Sequence, residues 1–417
     1  MRLSPSLSID RAQLLADLDR LSLIGRAPDG GMTRRALSRE DAEARSYVME
    51  RMRAAGLDVR HDEVGNVRAR RRGRCKAPDG PCVMTGSHLD SVPSGGKLDG
   101  PLGVVGALAA IEALDRAGVH TDKPIEIAIF VGEEGSRFPR GTIGSAAMSG
   151  HVAVEAILAL QDPDGIVYRD ALATYGDRGV PLPGCAEKGS IDSFVELHVE
   201  QGGVLEASGV PIGVVTAIAG LVQRRVAFLG DANHAGATPM NLRHDALLAA
   251  ADWCLSVERA AQVVGGGAVG TVGKLEVSPG GKNIIPGRVD AICDLRAPQP
   301  LLLSAIDELV LAALRASAAP RGVEFEQVLL QRVEPGPMDE RPMRAVEAAA
   351  AACGLLAQRM PSGAIHDALH LAEACPSTMI FVPSIGGKSH CPTEATDPQH
   401  LMQGCEVLAH TLAILAG

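Results

Sequence analysis

Residues 82–135 decide the fold, and they read CVMTGSHLDSVPSGGKLDGPLGVVGALAAIEALDRAGVHTDKPIEIAIFVGEEG. The opening CVMTGSHLDSV predicts a buried strand that runs into a polar loop. GPLGVVGALAAIEAL then predicts a helix, and PIEIAIFVGEEGS a second apolar strand. Strand, helix and strand in this order predict βαβ units and a largely parallel sheet with helices on both faces. Ligand sites in such sheets collect at the carboxyl ends of the strands.

The composition of the whole chain is that of a globular protein. It has 417 residues, 46% hydrophobic and 22% charged. At ~150 residues per domain, this length predicts two domains, or one domain with a large insertion. The net charge is −10 and aromatic residues make up 2%. Nucleic acid is therefore not expected as a partner, because phosphates need cations and exposed bases need rings to stack on.

Three features predict a cytoplasmic protein. No run of eighteen apolar residues is free of charges or chain breakers, so no membrane span is expected. Asp10, Asp17 and Asp19 interrupt the N-terminal pattern, which is not typical of a signal peptide. The nine cysteines are odd in number and scattered, which favours reduced thiols over a disulfide framework.

The predicted pattern of helices and strands divides the chain into segments. Residues 38–56 predict a helix that Ser38 caps, followed by a hairpin. From 213 to 330, Gly-punctuated strands alternate with two helices in a β-α-β-β-α pattern, and GGGAVG at 265–270 predicts a loop. We therefore predict an α/β domain formed by residues 1–212 and 331–417, with an inserted smaller α+β domain.

Five segments place His or a carboxylate beside Gly or Ser near the end of an apolar run. They are GSHLDSVPSGGKLDG, VGEEGSRF, ELHVEQGG, NHAGATPM and GGKSHCPTE. A lone histidine is more often a satisfied polar group than a ligand. Five such segments in one chain favour a common polar site instead.

The first of these segments has the residue types of a metal site. His88 offers an imidazole nitrogen, and Asp99, across a Gly-rich loop, can bridge two cations with its two oxygens. We expect the Asp90 carboxylate to accept a hydrogen bond from the other ring nitrogen of His88. The alternative for Asp90 is a turn cap.

The adjacent carboxylates Glu133 and Glu134 strengthen this interpretation. Two neighbouring carboxylates after a buried strand repel each other, and a dication relieves the repulsion while leaving one of them as a general base. The alternative is a solvated charge pair. With His198 and His390, the set contains three histidines and two carboxylates besides the base, which suits two borderline cations about 3.5–4 Å apart.

From about residue 25 onward, these motifs resemble the M20 peptidase-like superfamily, specifically its hydantoinase/carbamoylase branch. The resemblance implies a metal-dependent amidohydrolase with two divalent ions, Zn²⁺ or Mn²⁺, Co²⁺ or Ni²⁺. It implies that Asp99 bridges the ions, that Glu133 is the general base, and that the Asp99–Gly100 peptide is cis. The implied ligand sets are His88, Asp99 and His198 for one ion and Asp99, Glu134 and His390 for the other.

The same resemblance implies the substrate contacts. His234 would reach the scissile carbonyl from the inserted domain, often that of the partner subunit in a homodimer. Asn283 and Arg296 would bind a substrate carboxylate, for which the planar Arg fork is suited. Gln201 and Gly363 would add polar contacts. Without the family context, Arg296 reads equally well as a strand-end salt bridge and Asn283 as a turn residue. His366 and Asp367 are candidates for supporting the site, and Cys391 for a bystander.

The implied reaction is hydrolysis of the ureido C–N bond of an N-carbamoyl-L-amino acid, releasing ammonia and carbon dioxide. Allantoate and 3-ureidopropionate are alternative substrates, since each presents a ureido group and a carboxylate. An M20-type peptidase or deacylase is more remote, because His198 stands where peptidase branches carry a carboxylate. A non-catalytic metal-binding relative is also remote, because no ligand and no base is missing. The inserted domain is implied to serve dimerisation and closure as a lid.

Overall fold

The computed structural model describes residues 7–74, 80–175, 180–181 and 189–417. In these ranges lie sixteen strands, twelve α-helices and short 3-10 helices at Met240–Leu242, Ala319–Arg321 and Ile385–Gly387. The strands are β1 (Asp58–His61), β2 (Val67–Arg71), β3 (Cys82–His88), β4 (Ile125–Phe130), β5 (Val180–Pro181), β6 (Ile191–Val199), β7 (Ile212–Ile218), β8 (Gly220–Leu229), β9 (Asn233–His234), β10 (Val269–Ser278), β11 (Ile284–Ile285), β12 (Arg288–Ala297), β13 (Glu324–Val333), β14 (Gly336–Pro337), β15 (Ala357–Ser362) and β16 (Ser377–Val382). The helices are α1 (Arg11–Leu21), α2 (Arg39–Ala54), α3 (Pro101–Arg116), α4 (Ile143–Met148), α5 (Val154–Leu158), α6 (Tyr168–Ala173), α7 (Val204–Ser208), α8 (Ala246–Val264), α9 (Pro300–Ala318), α10 (Glu340–Ala352), α11 (Asp367–Ala374) and α12 (Pro398–Ala416).

The chain divides into two compact units. The first comprises residues 1–216, 338–360 and 366–417, and the second residues 217–337 and 361–365. The mixed α/β class predicted from the sequence is confirmed. The insertion predicted at 213–330 falls largely on the second unit, and its role in dimerisation and closure stays a prediction.

Most of the ten-stranded sheet belongs to the first unit. Its strand order is β14-β7-β16-β6-β3-β4-β2-β1-β5, and β15 pairs with β7. The four central strands β16, β6, β3 and β4 are parallel to one another. Every residue of β3, β4 and β16 is buried, as expected for parallel strands covered on both faces.

Helix α3 packs closely against this central sheet because its small residues allow the approach. Pro101 occupies its first turn, where the missing N–H costs nothing. A Cβ at Gly103 would lie 2.6 Å from the carbonyl oxygen of Leu197 and from Cβ of Ser87. The close packing fixes the start of α3, and with it the loop just before the helix.

The N-terminal predictions are confirmed. Asp41 N–H donates to Ser38 Oγ at 3.2 Å, so Ser38 caps α2. Strands β1 and β2 form the predicted antiparallel hairpin. The seven cysteines in the described residues are free, and Cys75 and Cys185 lie outside those residues. Within the described part of the chain, no helix is both long enough and apolar enough to cross a bilayer.

The second unit is an antiparallel sheet with two helices. Its strand order is β10-β12-β8-β13. The hydrophobic core of this unit includes Trp253 of α8 and Phe228 of β8. The segment at 265–270 begins as the predicted loop and runs into β10, with positive φ at Gly265, Gly266 and Gly267. The short strands β9 and β11 form a separate two-stranded ribbon.

Candidate active site

Five of the predicted ligand and base residues meet at one edge of the central sheet. His88 is the last residue of β3, and Glu133 and Glu134 follow the end of β4. His198 is the penultimate residue of β6, and His390 lies in the segment that follows β16. Since the carboxyl ends of these parallel strands share one edge, residues distant in sequence become neighbours.

Asp99 lies at the centre of this group, with its two oxygens facing different histidines. Its Oδ1 is 3.6 Å from Nε2 of His88 and 3.2 Å from Nε2 of His198. Its Oδ2 is 3.2 Å from Nε2 of His390. Burial would raise the pKa of Asp99, but the three neighbouring imidazoles lower it well below its usual range. A carboxylate that bridges two ions needs this arrangement, in which each oxygen faces different histidines.

Gly100 allows Asp99 to approach His88. It has φ +82°, and a Cβ there would lie 2.5 Å from the His88 ring. The cis peptide expected after Asp99 is not found: in the described residues the cis peptide bond is Ser278–Pro279. The left-handed backbone of Gly100 therefore makes the turn with a trans bond.

Hydrogen bonds to backbone carbonyl groups fix the tautomers of two of the histidines. Nδ1 of His88 lies 2.9 Å from the carbonyl oxygen of Asp90, and Nδ1 of His198 lies 2.8 Å from that of Val199. A carbonyl only accepts, so each neutral ring carries its proton on Nδ1. The lone pair on Nε2 is then directed toward Asp99, as a metal ligand requires.

The role predicted for the Asp90 side chain is corrected. The carboxylate lies 3.8 Å from Nδ1 of His88, beyond hydrogen-bond distance. It accepts instead from the backbone N–H groups of Glu133 and Glu134, each at 3.2 Å. Because these two N–H groups bind the carboxylate, the Asp90 side chain orients the glutamate pair. The backbone carbonyl of Asp90, rather than its side chain, binds His88.

The two glutamates are buried and face different histidines. Oε2 of Glu134 lies 3.5 Å from Nε2 of His390, and Oε2 of Glu133 lies 3.8 Å from Nε2 of His88. Burial raises the pKa of Glu134 to about 7, and the pKa of Glu133 well above its usual range. A buried group of carboxylates that resists ionisation is one that nearby cations would stabilise.

The donor set fits two divalent ions. Ligand atoms within 4.8 Å of one another occur in the group His88, Asp99 and His198, and again in the group Asp99, Glu134 and His390. Imidazole and carboxylate ligands suit borderline transition metals. These two groups coincide with the ligand sets implied by the resemblance, while the assignment of ions to them stays a prediction.

Two residues that support Asp99 were missed by the sequence analysis. Oε1 of Glu394 accepts from the backbone N–H groups of Leu98 and Asp99, at 2.8 and 3.1 Å. The Ser389 hydroxyl lies 2.9 Å from Oδ2 of Asp99 and 2.6 Å from Oε2 of Glu394. Both residues lie in GGKSHCPTE, so the motif that pointed to His390 also contained the signal for them.

Gln201 lies against the metal ligands. Its Nε2 donates to Oδ2 of Asp99 at 2.7 Å and is 3.4 Å from Nε2 of His390. Gln201 and His390 both have left-handed φ, +62° and +53°. Such strain in non-glycine residues is characteristic of functional sites. The substrate contact expected of Gln201 stays a prediction.

His366 and Asp367 lie behind the ligands, at the start of α11. The His366 ring centroid is 4.5 Å from that of His198. Asp367 accepts from Oγ of Ser145 at 2.5 Å, and burial raises its pKa to about 8. Cys391 contacts Thr393, with 3.4 Å between Sγ and Oγ1, and its role as a bystander stays a prediction.

His234 and Asn283 lie together on the second unit. His234 on β9 pairs with Ile284 on β11, and Asn283 directly precedes Ile284. The N–H of Ala235 donates to the carbonyl oxygen of Asn283 at 3.0 Å. Nδ1 of His234 accepts from the N–H groups of Gly236 and Ala237, each at 3.0 Å. The neutral ring therefore carries its proton on Nε2, which is exposed as a donor.

Arg296 and Gly363 form a second pair on this unit. Nη1 of Arg296 donates to the carbonyl oxygen of Gly363 at 2.9 Å, and its Nε donates to Oδ1 of Asp294 at 2.9 Å. The salt bridge considered for Arg296 is therefore present. It holds the guanidinium in place beside Gly363.

Comparisons with known proteins identify the family of this chain. A family model described as peptidase family M20/M25/M40 matches residues 84–414. An N-carbamoyl-L-amino acid amidohydrolase from Geobacillus stearothermophilus is 41% identical over 98% of this chain and 99% of its own. An allantoate amidohydrolase from Bacillus subtilis is 36% identical over 95% of each chain. The crystal structure of a hydantoinase/carbamoylase family amidase from Burkholderia multivorans superposes with a TM-score of 0.94, at 36% identity over 99% of each chain.

Proposed function

Since the chain belongs to the peptidase M20/M25/M40 family and is an amidohydrolase, we propose that it cleaves the ureido C–N bond of an N-carbamoyl-L-amino acid. The observation that carries this proposal is the arrangement of possible metal ligands around Asp99. Glu133 belongs to neither of the two proposed ligand sets, so it is available as a base. The relative from Geobacillus stearothermophilus supports the choice of substrate. Allantoate is the second candidate, supported by the relative from Bacillus subtilis.

In this proposal, His88, Asp99 and His198 would hold one divalent ion, and Asp99, Glu134 and His390 would hold the other. Ions bound there would supply Lewis-acid polarisation of the ureido carbonyl and activation of a water nucleophile. The Nδ1 hydrogen bonds of His88 and His198 keep both Nε2 atoms available as ligands. Glu394 and Ser389 hold Asp99 between the two proposed ligand sets, where its carboxylate would be shared.

Glu133 is the group that moves the proton. It takes a proton from the attacking water and passes it to the leaving nitrogen. The Asp90 carboxylate fixes the Glu133 backbone at 3.2 Å, so the side chain is held at the edge of the ligand set. The products are the amino acid, ammonia and carbon dioxide.

His234 is proposed to stabilise the charge that develops on the ureido oxygen. Its Nδ1 already accepts two backbone N–H groups, so Nε2–H is the donor that remains. A single donor of this kind contributes about 3–4 kcal/mol to transition-state stabilisation. The second unit therefore has to close over the substrate for catalysis, as expected of a lid.

Arg296 and Asn283 are proposed to bind the substrate carboxylate. Asp294 and Gly363 hold the Arg296 guanidinium in a defined orientation, and its planar fork matches a carboxylate. Gln201 and Gly363 supply further polar contacts to the substrate. These groups select a ureido acid over a neutral urea.

A homodimer is proposed in which His234 serves the site of the partner subunit. Strand β13 is an edge of the second unit's sheet, and Val328, Leu329 and Leu330 on it are 45–47% exposed. Apolar side chains on an open edge strand are suited to pairing with another copy of the chain. The proposed environment of this enzyme is the cytoplasm.

Ammonia release tests the proposed reaction. Chelator-stripped protein is reconstituted separately with Zn²⁺, Mn²⁺, Co²⁺ or Ni²⁺ and offered N-carbamoyl-L-amino acids, their D-forms, 3-ureidopropionate, allantoate and a dipeptide. We expect metal-dependent turnover of L-carbamoyl amino acids. Faster turnover of allantoate would instead support the second candidate, and cleavage of the dipeptide alone would overturn both.

Arg296→Lys is expected to raise KM for the ureido acid about 10–100-fold, with little change in kcat. Lysine keeps the charge but loses the fork, and hydrogen bonds to charged groups contribute about 1.5–3 kcal/mol. Steady-state kinetics measure the effect. The matched control is Arg288→Lys on the same strand, since Arg288 pairs with Asp290 at 2.6 Å in the same way. Equal KM values for the two variants would remove Arg296 from the substrate site.

A further inference from the structure

A second cluster of metal-binding side chains lies on the first unit, apart from the ligands proposed above. His370 and Glu373 are one turn apart on α11, and His151 lies in the loop between α4 and α5. Each offers one ligand atom, and the three atoms lie within 4.8 Å of one another. The mechanism proposed above uses none of them.

The spacing of these atoms suits a tetrahedral ion. Nδ1 of His151 is 3.0 Å from Oε2 of Glu373, and Nδ1 of His370 is 3.7 Å from Oε1 of the same carboxylate. With metal–ligand distances of about 2.0–2.1 Å, two ligand atoms of a tetrahedral zinc site are about 3.3 Å apart. The Glu373 carboxylate thus lies near this separation from both histidines, through Oε2 to His151 and through Oε1 to His370.

His370 provides an independent indication of a ligand. Its side chain is only 7% exposed, and its Nδ1 has no hydrogen-bond partner among the described residues. Its other nitrogen, Nε2, lies 3.0 Å from Oγ1 of Thr142. In the tautomer whose Nε2–H donates to this hydroxyl, the Nδ1 lone pair faces the Glu373 carboxylate. Two electron-rich groups that face each other are stabilised by a cation between them.

The charge state of His370 also suits a ligand. Burial lowers the pKa of His370 to about 4, which favours the neutral imidazole. The charge of Arg140 also lowers the pKa of His370. Because the same charge repels a cation, we expect a divalent ion to bind this cluster more weakly than the two proposed catalytic sites.

We propose that His151, His370 and Glu373 form a third divalent-cation site, which takes a transition metal of the Zn²⁺ class. Two imidazoles and a single carboxylate favour such ions over Mg²⁺ or Ca²⁺, which take mainly oxygen ligands. His151 and Glu373 are 42% and 49% exposed, so water completes the coordination. The site is independent of the substrate proposed above.

The third site connects to the proposed base through one residue. Thr142, which contacts Nε2 of His370, donates its backbone N–H to the carbonyl oxygen of Glu133 at 2.8 Å. Thr142 also has a left-handed φ of +49°, a conformation that its surroundings must hold in place. An ion that fixes the His370 ring therefore also stabilises the loop that carries Glu133.

The number of bound ions tests the proposal. Wild-type protein is dialysed to equilibrium against graded free Zn²⁺, and the zinc per chain is measured by elemental analysis. We expect three equivalents, with the third binding more weakly than the first two. Glu373→Gln and His151→Gln change half-exposed side chains, so both variants are expected to fold and to stop at two equivalents.

The matched control is His120→Gln, which removes an exposed histidine between α3 and β4 and is expected to keep three equivalents. Thermal unfolding gives a second readout. Zn²⁺ beyond two equivalents should raise Tm in the wild type and in the control, but not in the two cluster variants. The proposal is overturned if the wild type stops at two equivalents, if the cluster variants keep the third, or if the control loses it.

Discussion

Glu133→Gln is expected to lower kcat by about 10²–10⁴-fold while two metal ions remain bound. Glutamine keeps the size of the side chain but cannot take a proton from water. The substitution leaves both proposed ligand sets intact, since Glu133 belongs to neither of them, although its Oε2 lies 3.8 Å from Nε2 of His88. Ammonia release and elemental analysis on the same sample measure the two effects.

The neighbouring residue provides the contrast. Glu134→Gln should lose metal together with activity, because Glu134 is proposed as a ligand alongside Asp99 and His390. Glu155→Gln, an exposed glutamate on α5, is the control for loss of a negative charge. Near wild-type turnover by metal-loaded Glu133→Gln protein would show that another group moves the proton.

A mixture of two inactive variants is expected to recover about one quarter of wild-type activity. Glu133→Gln subunits lack the base and His234→Ala subunits lack the proposed oxyanion donor. If His234 serves the partner's site, each mixed dimer combines one intact Glu133 with one intact His234. Random pairing makes half of the dimers mixed, and each of these has one working site out of two.

Differently tagged subunits, refolded or co-expressed together, allow the mixed dimer to be isolated and assayed alone. Each variant by itself is the baseline for the recovery. Mixed dimers without activity above this baseline would show that His234 acts within its own subunit. A chain that stays monomeric by light scattering while it turns over substrate would rule out the homodimer itself.

The positions of the candidate ligands could be predicted because they depend on strand ends. His88, His198 and the Glu133–Glu134 pair each follow a recognisable apolar run, and adjacent parallel strands end at one edge of their sheet. Pattern and topology alone therefore bring them together. The resemblance then supplied roles for residues such as Asn283 that no periodicity singles out.

The contacts that depend on loop conformation could not be predicted. The Asp90 carboxylate lies 3.2 Å from the N–H of Glu133 and 3.8 Å from Nδ1 of His88. The path of the loop decides which of the two becomes the hydrogen bond. The same holds for Glu394, which reaches Asp99 from almost three hundred residues away. His151 meets α11 only because a short loop after α4 ends there, and no sequence spacing indicates that contact.

The pairing of β6 with β16 has a consequence for how the protein is made. His198 leaves the ribosome well before His390, and the whole second unit is synthesised between them. Contacts within that unit involve no residue beyond 365, so they can form while the chain grows, whereas β16 must wait for its own translation before it joins β6. A nascent chain therefore carries an open sheet edge, and an incomplete set of ligands, until the final segment emerges. The proposed metal site can therefore be completed only after His390 has been synthesised, whereas every residue of the intervening unit precedes β16 in the chain.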